Sequence, residues 1–398
     1  MNQKNSKSGG GLVLVMIVML SLSALAIGLF KLQEMDSFEA LYVDQSSEAF
    51  WMAESGLNEV GRLLRWDEIY RQNPEIVSTN FDGASYSARV VDQTSGPVLN
   101  SVIYSIESTG NKGRATRRIL QDAWVIPGAE ASIILKGGKS VFQSNNNIYD
   151  PVMMFDGEIV TGNNRTSVFH DYIVGSSSDI SGRGQVAGSA NPPFPFSEPT
   201  LDASVYNVQI PAVGSGSTNI GNTTIYYDAE VTIETAVPAG TTIIAAGNLD
   251  FGNTHAIIGS DVEILAGGSI TFPGHSTISA NTLVYAVDNI EFSTHGAGDS
   301  VLSGVSLLSS TGDISFSSQL DFDGLIFSDE GTVYIGAGAD ITGAIIGGLG
   351  LDKSATGTAG IGSVNIRYSE SVFMSGLPVG IDMGGLAIVS MRPNWREL

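Results

Sequence analysis

Three of the four histidines of the chain, His255, His275 and His295, are spaced 20 residues apart. If the chain winds into coils of that length, the three imidazole rings stack at one corner, about 5 Å from each other. Imidazoles at such a spacing can bind a transition metal. The same placement also produces a ladder of neutral rings without a metal. The sequence favours that ladder over a metal site or unrelated surface positions.

Two acidic segments, Asp321–Gly324 and Gly336–Asp340, resemble parts of calcium-binding loops. A calcium ion needs roughly six to eight oxygen ligands, and each segment occurs once and lacks the full set. Turn formation by Asp and Gly explains both segments equally well. No metal site is therefore predicted from them.

Catalysis is not expected from the residue types present. Hydrolysis of a glycosidic bond requires two carboxyl groups that face each other across the sugar, and the nearest candidates are Asp321 and Asp323. Lyase chemistry on acidic sugars would need cationic groups, but residues 184–352 contain no Lys or Arg. The chain also has no phosphate-binding loop and no His-Glu-x-x-His motif. We expect no enzymatic activity and no cofactor.

The charge distribution limits the possible partners. The net charge is −22, and residues 184–352 carry 18 Asp and Glu. Such a surface repels the phosphate groups of nucleic acids and of anionic lipids, so we predict no nucleic acid partner. The absence of Cys is compatible with an extracytoplasmic protein that has no disulfide bonds.

An internal repeat predicts the fold of the C-terminal two thirds of the chain. Five pentads begin with Gly or Asp, carry apolar residues at their third and fifth positions, and end 19 to 24 residues after one another. Stacked copies of such a unit bury a continuous apolar column, which predicts a parallel β-helix. The pentads are 247–251, 268–272, 288–292, 312–316 and 331–335, and Gly138–Phe142 is interpreted as a degenerate earlier copy.

The solenoid is predicted over residues 129–365, with an insertion or irregular edge around 175–222 that is rich in Ser, Gly, Asn and Pro. An open solenoid end exposes unpaired strand edges. The C-terminal tail, residues 366–398, is therefore predicted to fold back as a cap over the last coil.

Between the N-terminal segment and the solenoid, residues 79–128 alternate polar and apolar residues in short runs. This pattern predicts three antiparallel strands, a small β-meander. Its turns are predicted at Ser95–Pro97 and Gly110–Asn111.

The N-terminal segment predicts one long helix over residues 12–74. A basic leader, residues 1–11, precedes the apolar run Leu12–Phe30, which would span about 28 Å as a helix and match a bilayer core. Lysines before the run and acidic residues after it place the N-terminus in the cytoplasm. The alternative is a cleaved signal peptide, with Ala24–Ala26 as the recognition site.

This helix resembles the N-terminal helix of type IV pilins, and more closely that of pilus assembly proteins of the PilX N-terminal type. The resemblance covers about residues 1–125 and implies processing of the leader between Gly11 and Leu12. Position five after such processing is Met16, where major pilins carry Glu, and this resembles minor, initiating or tip subunits. The residues that carry the resemblance are Gly9–Gly11, Leu12–Val15, Ala49–Leu57, Tyr104–Gly110 and Ala115–Arg118.

The segment Ala49–Leu57 also suggests a helix-packing patch for assembly. Its members are Ala49, Ala53, Glu54 and Gly56. The same helix face would serve equally well to cover the protein's own β-meander, and the sequence leaves both interpretations open.

Together these observations predict a mainly β protein with one long N-terminal α-helix: a pilin-like transmembrane helix, a small antiparallel β-meander, and a parallel β-helix or solenoid. The expected function is that of a non-enzymatic subunit of a type IV pilus or type II secretion pseudopilus. Its helix would lie in the cytoplasmic (inner) membrane and pack against other pilin or pseudopilin helices. The acidic solenoid would be presented outside for adhesion, for instance to cell-surface or host glycans, or as a scaffold.

Two alternatives remain at this stage. One is a secreted β-helix that binds or cleaves glycans after removal of a signal peptide. The other is a membrane-tethered scaffold whose solenoid ends stack between molecules.

Overall fold

A computed structural model of the chain describes most of its residues. The described ranges are 9–96, 101–142, 146–161, 167–175, 180–182, 185–190, 197–210, 224–252, 255–293, 299–317, 319–336, 338–353, 363–391 and 396–397.

The chain begins with a single long helix, α1 (Gly9–Trp66), of 58 residues. A one-residue break at Asp67, whose carboxylate accepts a hydrogen bond from the backbone N–H of Tyr70, separates it from the short helix α2 (Glu68–Gln72). The guanidinium of Arg71 donates to the carbonyls of Leu64 and Arg65, at 2.8 and 3.1 Å. These bonds satisfy carbonyl groups that have no partner inside α1 at its C-terminal end.

The second half of α1 packs on an antiparallel sheet formed by β1 (Val77–Phe81), β2 (Ala84–Ser95), β3 (Val102–Lys112) and β4 (Ala115–Pro127). We call this helix half and the sheet the head. The predicted meander is confirmed, with one additional strand, β1. The prediction of a turn at Gly110–Asn111 is wrong because the chain turns at Gly113, which adopts a φ of +56°.

The chain then forms a parallel β-solenoid, starting with coils that precede the pentads. Their strands are β5 (Ile133–Leu135), β6 (Lys139–Phe142), β7 (Asn146–Ile148), β8 (Val152–Met154), β9 (Glu158–Thr161), β10 (Ser167–Gly175), β11 (Ile180–Ser181) and β12 (Gln185–Ala190). Thus β10 ends where the insertion is predicted to begin, and β11 and β12, inside the predicted insertion, still continue the coils. A return segment follows, with β13 (Thr200–Leu201) and α3 (Ser204–Asn207).

The main series of coils contains the pentads. Its strands are β14 (Thr224–Tyr227), β15 (Val231–Thr232), β16 (Thr242–Ala245), β17 (Leu249–Asp250), β18 (Ala256–Ile258), β19 (Glu263–Ala266), β20 (Ile270–Phe272), β21 (Ser276–Ile278), β22 (Thr282–Ala286), β23 (Ile290–Phe292), β24 (Ser300–Ser309), β25 (Ile314–Phe316), β26 (Leu320–Ser328), β27 (Thr332–Ile335), β28 (Ala339–Gly347), β29 (Gly350–Lys353) and β30 (Val364–Arg367). The tail comprises α4 (Ser371–Met374), β31 (Ile381–Asp382), β32 (Ala387–Met391) and β33 (Arg396–Glu397).

The predicted repeat is confirmed. The five pentads supply β17, β20, β23, β25 and β27, which are consecutive parallel neighbours in one sheet. Their aromatic residues are buried and stack along the solenoid axis, with ring centroids 4.6, 4.8 and 5.0 Å apart from Phe251 through Phe272 and Phe292 to Phe316. The column holds the coils together by burying apolar surface that a single coil would leave exposed.

The coils are not stacked in chain order. β5 pairs in parallel with β28, β6 with β29, and β7 with β30. The first coil of the chain therefore lies directly against the last one, and β29 separates the degenerate pentad Gly138–Phe142 from the last pentad. The coils that follow the first one in the chain extend from it in one direction, as far as β12. The return segment then leads to β14 at the opposite end of the solenoid, where the main series begins.

Strands β16, β19 and β22 and the second halves of β24, β26 and β28 form a sheet that is buried on both faces. Its inward residues line the solenoid core, and its outward row contacts the return segment and the tail through Leu201, Tyr206 and Phe373. Burial on both sides explains why these strands are almost continuously apolar. The outward row is Ile244, Leu265, Tyr285, Leu308, Phe327 and Ile346.

The tail does not cap the last coil, contrary to the expectation from the sequence. β32 and β33 pair antiparallel with β4 and extend the head sheet, while β31 pairs with β13. The physical reason is that the first coil already covers the edges of β28, β29 and β30, so the edge available to the tail is that of β4.

A buried ion pair joins the first coil to the main series. Lys136 contacts the carboxylate of Asp329, and the two side chains are 8% and 17% exposed. The same carboxylate accepts a hydrogen bond from the backbone N–H of Leu201 in the return segment. Three parts of the chain that are distant in sequence meet at this pair.

We predict that Lys136→Met destabilises the protein by about 3–5 kcal/mol, since the substitution leaves the Asp329 carboxylate buried without its cation. The matched control is Lys139→Met, because Lys139 forms an exposed pair with Glu158 and its loss should cost less than about 1 kcal/mol. Urea unfolding of the full-length protein in detergent measures the change in the free energy of unfolding for both variants. Equal effects of the two substitutions would contradict the assigned role of Lys136.

Candidate functional site

The first part of α1 is apolar, and no other described part of the chain packs against it. Among the described residues, α1 is the one helix long and apolar enough to cross a membrane. Its most apolar 18-residue window has a mean hydropathy of 2.3 and is entirely exposed. Met16, at position five after the predicted processing site, is 59% exposed. The predicted site between Gly11 and Leu12 lies inside α1.

Three of the four residues predicted to form an assembly patch face the protein's own sheet. Ala49, Ala53 and Gly56 are buried against the head. A Cβ placed on Gly110 of β3 would lie 1.9 Å from the carbonyl oxygen of Ala49, and one on Gly56 would lie 2.3 Å from the hydroxyl of Ser108. These small residues therefore allow close contact between α1 and β3, and they are not a surface for another helix.

Glu54, the fourth residue of the predicted patch, is half-buried. Trp51 is nearby on the same helix and is 60% exposed. The helix surface that remains open to other molecules in this region is thus the side that carries Trp51, together with the whole apolar segment before it.

Two of the three residues of the predicted histidine ladder, His255 and His275, lie within the described part of the chain. The rings of His255 and His275 have centroids 4.2 Å apart and planes inclined by 41°. Nδ1 of His275 lies 3.1 Å from the carbonyl oxygen of Asp299, so this nitrogen carries the proton and only Nε2 is free to bind a metal. Nε2 of His255 contacts the hydroxyl of Thr277 at 3.0 Å.

His295 lies outside the described residues, and a three-histidine metal site therefore stays a prediction. Within the part of the chain that the structure describes, no group of three or more His, Cys, Asp or Glu is placed to hold a metal ion.

The acidic segments lie on an exposed outer face of the solenoid. Asp321 and Asp340 are register partners on β26 and β28, and both are exposed. Asp323 is half-buried, and its pKa is raised by burial and then by the negative charge of Asp321. Carboxylates that point outward along a sheet are not arranged as a calcium-binding loop.

The residues next to these carboxylates were not singled out by the sequence. Arg367 lies over the ring of Tyr149, 4.6 Å from its centroid, and the ring of His170 stacks on Tyr149 with centroids 4.8 Å apart and planes inclined by 3°. The three residues come from β30, from the residue after β7, and from β10. No local pattern relates them, since only the order of the coils brings them together.

Comparison with known proteins adds little. No family model matches the chain, and no curated protein matches it. One similar solved structure is the crystal structure of the competence-associated pilin ComZ from Thermus thermophilus. The similarity covers 89% of this chain and 97% of that chain, with 12% sequence identity and a TM-score of 0.31. An identity and a TM-score this low do not establish a shared fold or function.

We predict that Gly110→Ala destabilises the head by about 1–3 kcal/mol, because the new methyl group meets backbone atoms of α1 that cannot move independently. Gly61→Ala is the matched control. Its Cβ would lie 3.6 Å from the sulfur of Met391, and alanine in a helix should gain up to about 1 kcal/mol. Thermal unfolding and limited proteolysis of the full-length variants test this. A Gly110→Ala protein as stable as the parent would refute the close contact.

Proposed function

We propose that the chain is a non-enzymatic, minor pilin-like structural subunit, anchored in the cytoplasmic membrane by α1. The protein would assemble with other pilins or pseudopilins of a type IV pilus or type II secretion pseudopilus. Its N-terminus would lie inside and its solenoid outside, where the solenoid would act in adhesion or as a scaffold.

The observation that supports this proposal most strongly is the continuity of α1. One helix begins as an exposed apolar segment and ends with Ala53, Val60 and Leu64 fully buried in the head. An apolar helix surface of this size is unfavourable in water, so it requires lipid or the apolar surfaces of other helices. A cleavable signal peptide would not need to be rigidly joined to the folded domain.

The sequence resemblance to the PilX N-terminal type supports the finer assignment, and Met16 in place of Glu supports a minor subunit. The extracytoplasmic location of the bulk is supported by the lysines before the apolar run and by the acidic solenoid. The proposal of no enzymatic activity rests on the lack of cationic residues between 184 and 352 and of a recognisable catalytic motif.

Cysteine cross-linking in the native cell tests the proposal, because the chain contains no Cys. A single Cys at Ile27, which is 62% exposed on α1, should cross-link to a pilin or pseudopilin carrying a Cys at the matching depth of its own helix. The control is a Cys at Tyr334 on the solenoid, 38% exposed, which should not cross-link to those helices.

Two outcomes would contradict the proposal. One is a mature protein whose N-terminal sequence begins at Ile27, since the part of α1 before Ile27 would then belong to a removed signal peptide; a start at Met1 or Leu12 is expected. The other is failure of the Ile27→Cys protein to cross-link while known pilins of the same cell cross-link to each other.

A further inference from the structure

One outer face of the solenoid carries two parallel rows of polar side chains. Each of its strands alternates inward and outward residues, and successive strands are in parallel register, about 4.8 Å apart. The outward residues therefore form rows along the solenoid axis. The first row contains Asp321, Asp340, Asn365 and Asn147, and the second contains Asp323, Thr342, Arg367, Tyr149 and His170. We call this face the polar strip.

One half of the polar strip is acidic and has no cation of its own. Asp321, Asp323 and Asp340 lie on two neighbouring strands, and no ion pair joins any of them to a Lys or Arg of the described residues. The nearest cation along the rows, Arg367, lies one coil beyond Thr342 and is directed over the ring of Tyr149. Burial raises the pKa of Asp323, and the negative charge of Asp321 raises it further.

The other half of the polar strip is aromatic. Tyr149 is 36% exposed and lies between the guanidinium of Arg367 and the ring of His170. Because Arg367 and His170 both lie against the ring of Tyr149, a ligand can reach this ring mainly at its edge. Aromatic residues with one apolar and one polar part are favoured at binding surfaces.

The side chains of the polar strip hold each other in place. The amide of Asn147 donates to the carbonyl oxygen of Asn365 at 3.1 Å, and the amide of Asn365 donates to the carboxylate of Asp340 at 2.6 Å. Side chains that are already ordered lose less conformational entropy when a ligand binds. The polar strip thus differs from a surface of independently mobile charged residues.

These features define the chemistry of a ligand. It must be elongated, because the rows extend along several coils. It must carry many hydrogen-bonding groups, to meet the carboxylates and amides of the rows. It must also bring positive charge to Asp321 and Asp340 and no negative charge, since a polyanion would be repelled. The spacing of the coils is close to the length of one sugar unit of an extended polysaccharide.

We propose that the polar strip binds a polysaccharide that contains free amino groups, with its ammonium groups at Asp321, Asp323 and Asp340 and a sugar unit at the exposed edge of Tyr149. Display of this site outside the cell rests on the proposed pilin-like function. Binding of the polysaccharide by the purified protein does not depend on that function. Each of the two proposals can therefore be contradicted without the other.

The test measures binding of a β-1,4-linked glucosamine oligomer to the full-length protein in detergent by isothermal titration calorimetry. The double variant Asp321→Asn with Tyr149→Ala should lose at least about tenfold in affinity, which corresponds to ~1.4 kcal/mol. Binding should also weaken as salt is added, because charge attraction at an exposed site is screened. The fully N-acetylated oligomer and a uronic acid oligomer should bind much more weakly.

A matched control comes from another outer face of the same solenoid. Glu291 and Tyr334 also point outward, and Tyr334 is 38% exposed, nearly the same as Tyr149. The double variant Glu291→Gln with Tyr334→Ala should keep its affinity within about twofold, well below the tenfold loss that marks a real contact. If the first double variant fails to fold, the isosteric single substitution Asp321→Asn replaces it and should still weaken binding.

Three results would overturn the proposal: no binding of the glucosamine oligomer by the parent protein, equal loss in both double variants, or equal affinity for the acetylated oligomer.

Discussion

The in-register stacking of coils around a central apolar column is the interaction on which the rest of this structure depends. A coil of about 20 residues cannot bury its own Phe or Ile, so each coil is stable only when another covers it. The same requirement applies to strand edges, whose N–H and C=O groups need a partner. Insertion of the first coil next to the last one satisfies both requirements for the last coil within one chain. It also places the covalent connections to the head in the interior of the stack.

That placement determines how the head and the solenoid are joined. β4 leads directly into the first coil, and the tail leaves the last coil and returns to pair with β4. Both connections therefore reach the same edge of the head sheet, next to the end of α1. The head in turn is joined to α1 by the close contact at Gly56 and Gly110, where side chains would keep helix and sheet apart. Packed elements thus connect α1 to the head sheet and the head sheet to the tail of the solenoid.

The sequence predicts those parts of the fold whose determinants are local. The pentads recur at a fixed period, and the apolar run Leu12–Phe30 is continuous, so both are visible without knowledge of tertiary structure. The order of the coils is different, because pairing between Ile133 and Ile345 joins residues more than 200 positions apart and has no local signature. The same holds for the small residues Ala49 and Ala53, whose spacing fits a partner helix and the protein's own sheet equally well. The close approach of Gly110 on β3 to Ala49 shows that these residues pack on the protein's own sheet.

The candidate binding face follows from the same topology. Its carboxylates belong to the late coils of the chain, and its aromatic residues belong mainly to the early ones. In a solenoid stacked in chain order, Asp340 and Tyr149 would lie in coils separated by much of the main series. Here the pairing of β30 with β7 brings the acidic and aromatic halves of the face into contact. A scan of the sequence for clustered acidic or aromatic residues would therefore miss it. The three outer faces of the coils also differ in role, since one is covered by the return segment, one carries the outward residues of the pentads, and one combines charge with exposed rings. Because most inward residues of the coils are buried in the core, a ligand can contact the coils only through these outward rows.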